Sequence, residues 1–375
     1  MRKIIYLCTL IIISLNVMAQ LSSGDNNWYS VIDEQFTGRG RGWDDCFTEA
    51  AVIHPIWQVK CPETTTGVTT NEYNHHALQT YQCLFNNNTY SDNKMRLCAT
   101  YTGGPQICGE DYQIPDCDHY ECDIVPDRYI YYHTGNIQTI ARLHFGYFEV
   151  RCTFPVHTGA HAAFWLWGCG PHSYEEIDIV EYSKADSQND IYYGYSSGIW
   201  FNPNSTAWNY QDNIYKQYEH LPSNGPDIKE MHVYGCEWLP DRVIFYRDGV
   251  ITGEFYDRDN IPQNTKWLKM GYYINNDIMN PAPPSWQGSD TLTIDYIKYY
   301  KLRTDCNNDI NIQTQQQLSQ LNTVKRSVVI GNTNELVLNS STDKVVRAVE
   351  SITINGPFEL QNGGRLTLMV HECPE

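Results

Sequence analysis

The chain has 375 residues, 13% of them aromatic, and a formal net charge of −18. Such an acidic chain gains nothing from polyanions at long range, which argues against nucleic acid as a partner and slightly favours a neutral glycan over a sulfated one. The length exceeds one ordinary domain and fits one large β domain followed by a small one.

Residues 1–19 read as a secretory leader. Arg2 and Lys3 form its charged region, Ile4 to Val17 its apolar core, and Val17-Met-Ala19 its small-residue cleavage pattern. The apolar run is short for a membrane span, which takes about 20 residues; a retained anchor is the alternative. The mature chain is therefore expected outside the cytoplasm, secreted or at the cell surface or in the periplasm, as a monomer without a membrane span. Losing Arg2 and Lys3 takes the formal net charge from −18 to −20. Cys8 lies in the leader. The other twelve cysteines are Cys46, Cys61, Cys83, Cys98, Cys108, Cys117, Cys122, Cys152, Cys169, Cys236, Cys306 and Cys373. An even number in an exported chain reads as a disulfide framework whose connectivity stays open. Zinc is the competing reading, but no C-x-x-C pair occurs. Residues 44–128 hold seven of the twelve. Asn86 to Cys98 reads as a core strand pair there, and 58–80 and 100–128 read as disulfide-held loops at one end of a cleft.

Gly159-Ala-His-Ala-Ala-Phe-Trp-Leu-Trp167 reads as a strand, and Glu176-Ile-Asp-Ile-Val-Glu181 as the next one. Strand side chains alternate, so Glu176 and Asp178 share a face and Glu181 falls on the other. A β-bulge at Ile179-Val180 supplies one residue and brings Glu181 back. Ile177 and one of Ile179 or Val180 then pack on the buried side. Three carboxylates on one face cannot all ionise freely, so at least one pKa must rise. Such a row disfavours folding, which makes it poor scaffold. Retaining glycoside hydrolysis needs such carboxylates, one as nucleophile and one as acid/base, about 5–5.5 Å apart. The two Glu positions lie four strand steps apart, roughly 13 Å, a gap that two long side chains leaning together largely close. Glu176 is assigned as nucleophile and Glu181 as acid/base. Asp178 lies between them, to hydrogen-bond Glu176 and keep the Glu181 pKa raised. The competing reading is a solvated acidic strand edge.

Glu176-Ile-Asp-Ile-Val-Glu181 resembles the bulged signature of glycoside hydrolase family 16, found in laminarinases, agarases, porphyranases and carrageenases. The resemblance extends to Thr134-Gly-Asn-Ile-Gln-Thr139 and Phe145-Gly-Tyr-Phe-Glu-Val-Arg151 before the motif. It continues in His232-Val-Tyr-Gly-Cys-Glu-Trp238, Asp241 to Gly249, and Ile294-Asp-Tyr-Ile-Lys-Tyr-Tyr300 after it. It covers residues 28–302 with one interruption and implies an all-β fold, a β-jelly-roll sandwich with a cleft across one sheet. Trp28 to Gly38 resembles the family's first strand. Asp33, Glu34 and Asp295 match a region where many members bind calcium, so a structural calcium is implied, with an ordinary acidic turn as the alternative. No cofactor is required for the chemistry.

Sugars stack their apolar faces on aromatic rings, and Trp165, Trp167, Trp200 and Trp238 are the platform candidates, each with plain core as the alternative. Gln188 to Pro222, with Trp208 and Tyr210, reads as loops and strands lining the cleft. Many family members carry a His shortly after the catalytic strand; Tyr192 to Trp200 has none, a departure that bears on sugar specificity. His161 and His232 read as structural. After Leu302, Asn307 to Thr323 reads as an Asn/Gln-rich linker. Ser327-Val-Val-Ile330, Leu336-Val-Leu338, Val345-Val346, Ile352-Thr-Ile354, Phe358-Glu-Leu360 and Leu366-Thr-Leu368 read as short strands of a solenoid-like module. The domain reading is 20–303 for the catalytic jelly roll and 304–375 for a separable linker and module.

These observations imply an endo-acting retaining β-glycanase acting on a polysaccharide. A β-1,3-glucan comes first and a β-1,4-galactan of the agar or carrageenan type second. A non-catalytic glycan-binding protein on the same fold is the alternative of a different class; such proteins typically lose one or both Glu.

Overall fold

The computed structural model describes residues 25–35, 57–59, 79–81, 94–108, 128–155, 157, 160–169, 174–183, 195–202, 214–220, 228–274, 288–331 and 335–374. The leader, Trp208, Tyr210, Cys46, Cys61, Cys83, Cys117, Cys122 and most of the cysteine-rich insertion lie outside them. The larger sheet system comprises β1 (Trp28–Glu34), β2 (Trp57–Val59), β3 (Gln79–Tyr81), β4 (Met95–Cys108), β5 (Arg128–Thr139), β6 (Gly146–Thr153), β7 (Ala160–Cys169), β8 (Tyr174–Ser183), β9 (Tyr195–Asn202), β10 (Ile214–His220), β11 (His232–Leu239), β12 (Arg242–Arg247), β13 (Val250–Phe255), β14 (Trp267–Ile274) and β15 (Ser289–Leu302).

Apart from the parallel β3–β5 pair, these strands make an antiparallel β-jelly-roll sandwich. The front sheet runs β10-β9-β8-β7-β14-β5, and the back sheet runs β4-β15-β6-β11-β12-β13 with β1 added on β15. β5 belongs to both. Gly135 to Gln138 pair with β14, while Arg128 to His133 pair with β4, so this long strand turns the corner between sheets. At the far edge, the Tyr218 ring of β10 lies against Gly253 of β13, where a Cβ would come within 2.7 Å of ring carbons. The β12–β13 hairpin turns at Asp248-Gly249, both with positive φ, as a tight hairpin between right-twisted strands requires.

Period-two alternation fills the space between the sheets. Phe148 and Val150 of β6, Phe164 and Leu166 of β7, Leu268 and Met270 of β14, and Leu292 and Ile294 of β15 are all buried in one cluster. Each such side chain contributes roughly 1.5–3 kcal/mol by leaving water. Residues 100–108 belong to strand β4, not to a loop. Their pairing with β5 is broken by an irregularity between Tyr101 and Gln106, which erases the alternation that a strand reading needs. Cys152 and Cys236 are buried free thiols within the core, so the twelve cysteines after Cys8 are not all in disulfides.

The C-terminal module is built from parallel strands. It comprises β16 (Thr304–Asp305), β17 (Ile310–Ile312), helix α1 (Gln315–Gln320), β18 (Val324–Ile330), β19 (Leu336–Leu338), β20 (Asp343–Ile354), β21 (Phe358–Leu360) and β22 (Arg365–Val370). Leu336 pairs with Phe358 and Asp343 with Arg365, both 22 residues on, whereas Val328 pairs with Ile352, 24 residues on. This solenoid repeat lives in backbone spacing and is blurred by the unequal coil lengths. The expected linker at Asn307 to Thr323 instead contains β17 and α1. Thr314 and Gln317 form a reciprocal capping box, and Leu318 buries into the module core.

The module is bonded to the jelly roll rather than tethered to it. Cys306 and Cys373 form a disulfide across 67 residues that closes the module on itself, and the bonds to the jelly roll are made by other groups. Arg347 of β20 is buried against the outer face of the back sheet, 2.9 Å from Asp25 and 3.0 Å from Glu237, with its guanidinium 5.1 Å above the Trp28 ring. The Arg242 guanidinium donates to the Val370 carbonyl at 2.6 Å. Trp28, Tyr147, Leu239, Leu302 and Val324 make an apolar seam between the two parts. The expected separability of the tail overlooked this seam because its partners are about 110 and 322 residues apart in sequence.

Candidate active site

The site begins with a bulge. Along β7, Phe164 pairs with Val180 and Trp165 with Asp178, so Ile179 is the extra residue. The same shift recurs against β9, where Asp178 faces Gly198 and Glu181 faces Ser196. The Ser197 hydroxyl donates to the Ile179 carbonyl at 2.8 Å, giving the bulged residue a partner that the ladder cannot. Ile177, Ile179 and Val180 all enter the core, one more than the alternation argument allowed. Glu176, Asp178 and Glu181 are thereby turned to the same outer face of the front sheet.

The register builds that face in rungs across β14, β7, β8 and β9. The first is Trp267–Trp167–Glu176–Trp200, the second Lys269–Trp165–Asp178–Gly198, and the third Gly271–Ala163–Glu181–Ser196. Indoles crowd the first two rungs, while small residues flank Glu181 in the third. Trp167 and Trp267 stack with centroids 5.9 Å apart and planes 16° apart. Arg142 caps Trp267 at 4.0 Å from its centroid.

The acids are densely connected. The Tyr174 hydroxyl donates to Glu176 Oε2, and the Trp200 indole N–H donates to Asp178 Oδ2 at 2.6 Å. His161 Nε2 lies 3.2 Å from Glu181 Oε1. Burial pushes the Glu176 carboxyl up to about 7; the Tyr174 hydroxyl opposes the rise, the Glu181 charge adds to it, and Lys269 and an Asp178 hydrogen bond also oppose it. Asp178 is pushed well above the carboxylate range, first by burial, then by the charges of Glu176 and Glu181. Burial and the neighbouring charges thus favour the protonated form of Asp178, the carboxyl that shares a hydrogen bond with Glu176.

The tryptophan candidates divide. Trp165, Trp167 and Trp200 lie in the outer-face cluster, with Tyr174 and Trp267, which sequence reasoning missed. Trp238 is not a platform. It sits on β11 of the back sheet, fully buried, with its indole N–H donating to the Pro262 carbonyl at 2.9 Å. Its strand alternates in phase with Tyr234 and Cys236, and that phase points inward. His232 is structural: its Nδ1 lies 2.6 Å from Asp248 Oδ2 and ties β11 to the β12–β13 turn. His161, read as structural, instead faces the acids; counting back by twos from Trp165 along β7 is the signal that finds it.

Of the residues expected to hold calcium, Asp295 is ion-paired with Arg151, and Glu34 is buried. No group of three or more His, Cys, Asp or Glu side chains disposed to hold a metal occurs among the described residues, whereas calcium takes six to eight oxygen ligands.

Comparison with known proteins accords with this architecture. The profile of glycosyl hydrolases family 16 matches residues 77–298. The kappa-carrageenase of Pseudoalteromonas carrageenovora is 27% identical over 290 residues, 64% of this chain and 69% of that protein. A beta-glucanase of Acetivibrio thermocellus is 30% identical over 122 residues, 32% of this chain and 31% of that one, so the chain spans about a third of that relative. Among solved structures, the catalytic domain of an endo-1,3-beta-glucanase (laminarinase) from Thermotoga petrophila RKU-1 superposes with a TM-score of 0.50 and 18% identity, covering 73% of this chain and 98% of that one. Porphyranase B from Zobellia galactanivorans gives 0.50 and 15%, covering 73% and 93%. At these identities the two structures speak to the fold alone.

Proposed function

The chain belongs to glycosyl hydrolases family 16, and from that premise we propose that it is an endo-acting, retaining β-glycanase with Glu176 as nucleophile and Glu181 as acid/base. The observation that carries this reading is the bulge at Ile179, which turns Glu176, Asp178 and Glu181 to one face. Ionised Glu176 attacks the anomeric carbon while Glu181 gives its proton to the leaving glycosidic oxygen, forming a glycosyl ester. Glu181 then takes a proton from water, which attacks the same carbon and releases Glu176. Asp178 and Tyr174 donate hydrogen bonds to the Glu176 carboxylate and steady it. The small residues flanking Glu181 favour the approach of a sugar ring there, beside the indoles of Trp165, Trp167, Trp200 and Trp267.

For the polymer we put a β-1,3-glucan first, on the bulged form of the motif. A second reading, a β-1,4-galactan of the carrageenan type, is favoured by span: the kappa-carrageenase match runs over 64% of the chain, the beta-glucanase match over 32%. We also place the protein outside the cytoplasm, which the Cys306–Cys373 disulfide supports. No helix among the described residues is long and apolar enough to cross a membrane.

Reducing-sugar release from laminarin, lichenan, agarose, porphyran and carrageenan separates the two polymers. Proton NMR of the first products should show the β anomer before mutarotation, and azide should convert the Glu176→Ala variant's glycosyl donor into a glycosyl azide. The α anomer appearing first would overturn the retaining assignment.

A further inference from the structure

Lys269 is an unusual floor residue. It stands on β14, the strand beside β7, and only 3% of its surface is exposed. Lysine is almost never buried to that degree without partners. Its register partner is Trp165, whose own partner across β7–β8 is Asp178. Trp165 and Trp167 are two residues apart on one strand, so their rings lie side by side on the outer face. The Lys269 ammonium sits 4.9 Å from each ring centroid, in the notch between them. Two indole faces thus hold one cation where either ring alone would leave it free to swing.

We propose that Lys269 is a positioning residue, clamped between Trp165 and Trp167 so that its charge keeps the Glu176 carboxylate ionised within a row of acids. This rests on the assignment of Glu176 as nucleophile. Trp165 and Trp167 then serve first as the clamp and only secondarily as sugar platforms, which accounts for their near-complete burial. The groups facing Glu176 make the need plain. On its own strand are the Tyr174 hydroxyl, Asp178 and Glu181; from β7 comes His161, which faces Glu181 rather than Glu176; from β9 comes the uncharged Trp200 indole. Lys269 is the cation that acts on Glu176 among them, and its attraction opposes the rise caused by burial and by Glu181.

The test reads the carboxyl directly. In protein labelled with carbon-13 at the glutamate δ carbons, the Glu176 resonance is identified by its loss in Glu176→Gln and titrated in the wild type, Lys269→Met and Lys269→Gln. Both substitutions should raise the midpoint by about one unit or more, an opposite charge nearby being worth one to three; Lys269→Arg should restore most of it. The acid limb of kcat/KM on the active polymer's oligosaccharides should move by the same amount. An unmoved midpoint in either folded variant overturns the proposal. A midpoint that moves while azide gives no glycosyl azide with Glu176→Ala would instead overturn the nucleophile assignment and leave the electrostatic coupling intact.

Discussion

Two clusters of buried carboxylates lie on opposite sides of the sandwich, and they are built to opposite rules. On the back sheet, Asp25 and Glu237 share one guanidinium, with Arg347 at 2.9 and 3.0 Å. On the front sheet, Glu176, Asp178 and Glu181 share an unequal supply of positive charge, and the pKa values of Glu176 and Asp178 rise. A buried guanidinium shared by two carboxylates holds two parts of a chain together. Carboxyls crowded on one face, with pKa values raised by burial and by one another, keep the capacity to move a proton, at some cost to stability.

The largest expected effect breaks the front cluster. Glu176→Gln should lower kcat at least about 10⁴-fold, roughly 5 kcal/mol of transition-state stabilisation, with an unchanged near-ultraviolet circular dichroism spectrum. Next comes the back cluster. Arg347→Met leaves two buried carboxylates unmatched and should destabilise by about 3–5 kcal/mol. Thermal unfolding should show it, and Asp25→Asn with Glu237→Gln should recover part of the loss. Truncation after Leu302 removes the same guanidinium and uncovers Trp28 and Leu239, so the shortened protein should aggregate or melt well below the full chain. A truncated enzyme with wild-type melting would show that the seam contributes nothing.

Smaller effects sharpen the contrast. On the proposed mechanism Glu176 must be ionised to attack, and its pKa is pushed up to about 7. The acid limb of kcat/KM should therefore fall through about pH 7, not near 4.5. If Asp178 acts as a protonated donor, Asp178→Asn keeps a donor and should leave that limb nearly in place, whereas Asp178→Ala should move it upward and cost roughly tenfold in kcat/KM at pH 6. The smallest effect concerns stability. A carboxyl whose folded pKa lies above its unfolded value binds its proton more tightly when folded, so stability is lost as pH rises from about 4.5 to about 7. Glu176→Gln should accordingly melt higher than the wild type at pH 8, by roughly 2 °C or more, and show little difference at pH 4. An equal or lower melting point at pH 8 would mean that the front cluster is not strained.

Much of the catalytic face follows from local chemistry. Strand alternation, an acid pattern that alternation alone cannot satisfy, and a Trp-rich neighbour are features of a few consecutive residues, so the bulge and the shared face of Glu176, Asp178 and Glu181 are readable in the chain itself. The Thr314–Gln317 capping box was equally local and was masked by composition. Other features depend on strand phase and pairing, which join residues far apart in sequence. Trp238 and Trp165 are the same residue type on similar strands, yet one points into the core and the other out of the front sheet. Lys269 lies about 90 residues from the acids and meets them only because β14 pairs with β7. Arg347 reaches Asp25 across 322 residues. Short-range periodicity determines which side chains share a face; the pairing of distant strands decides which faces meet, and electrostatic partners are chosen at that second step.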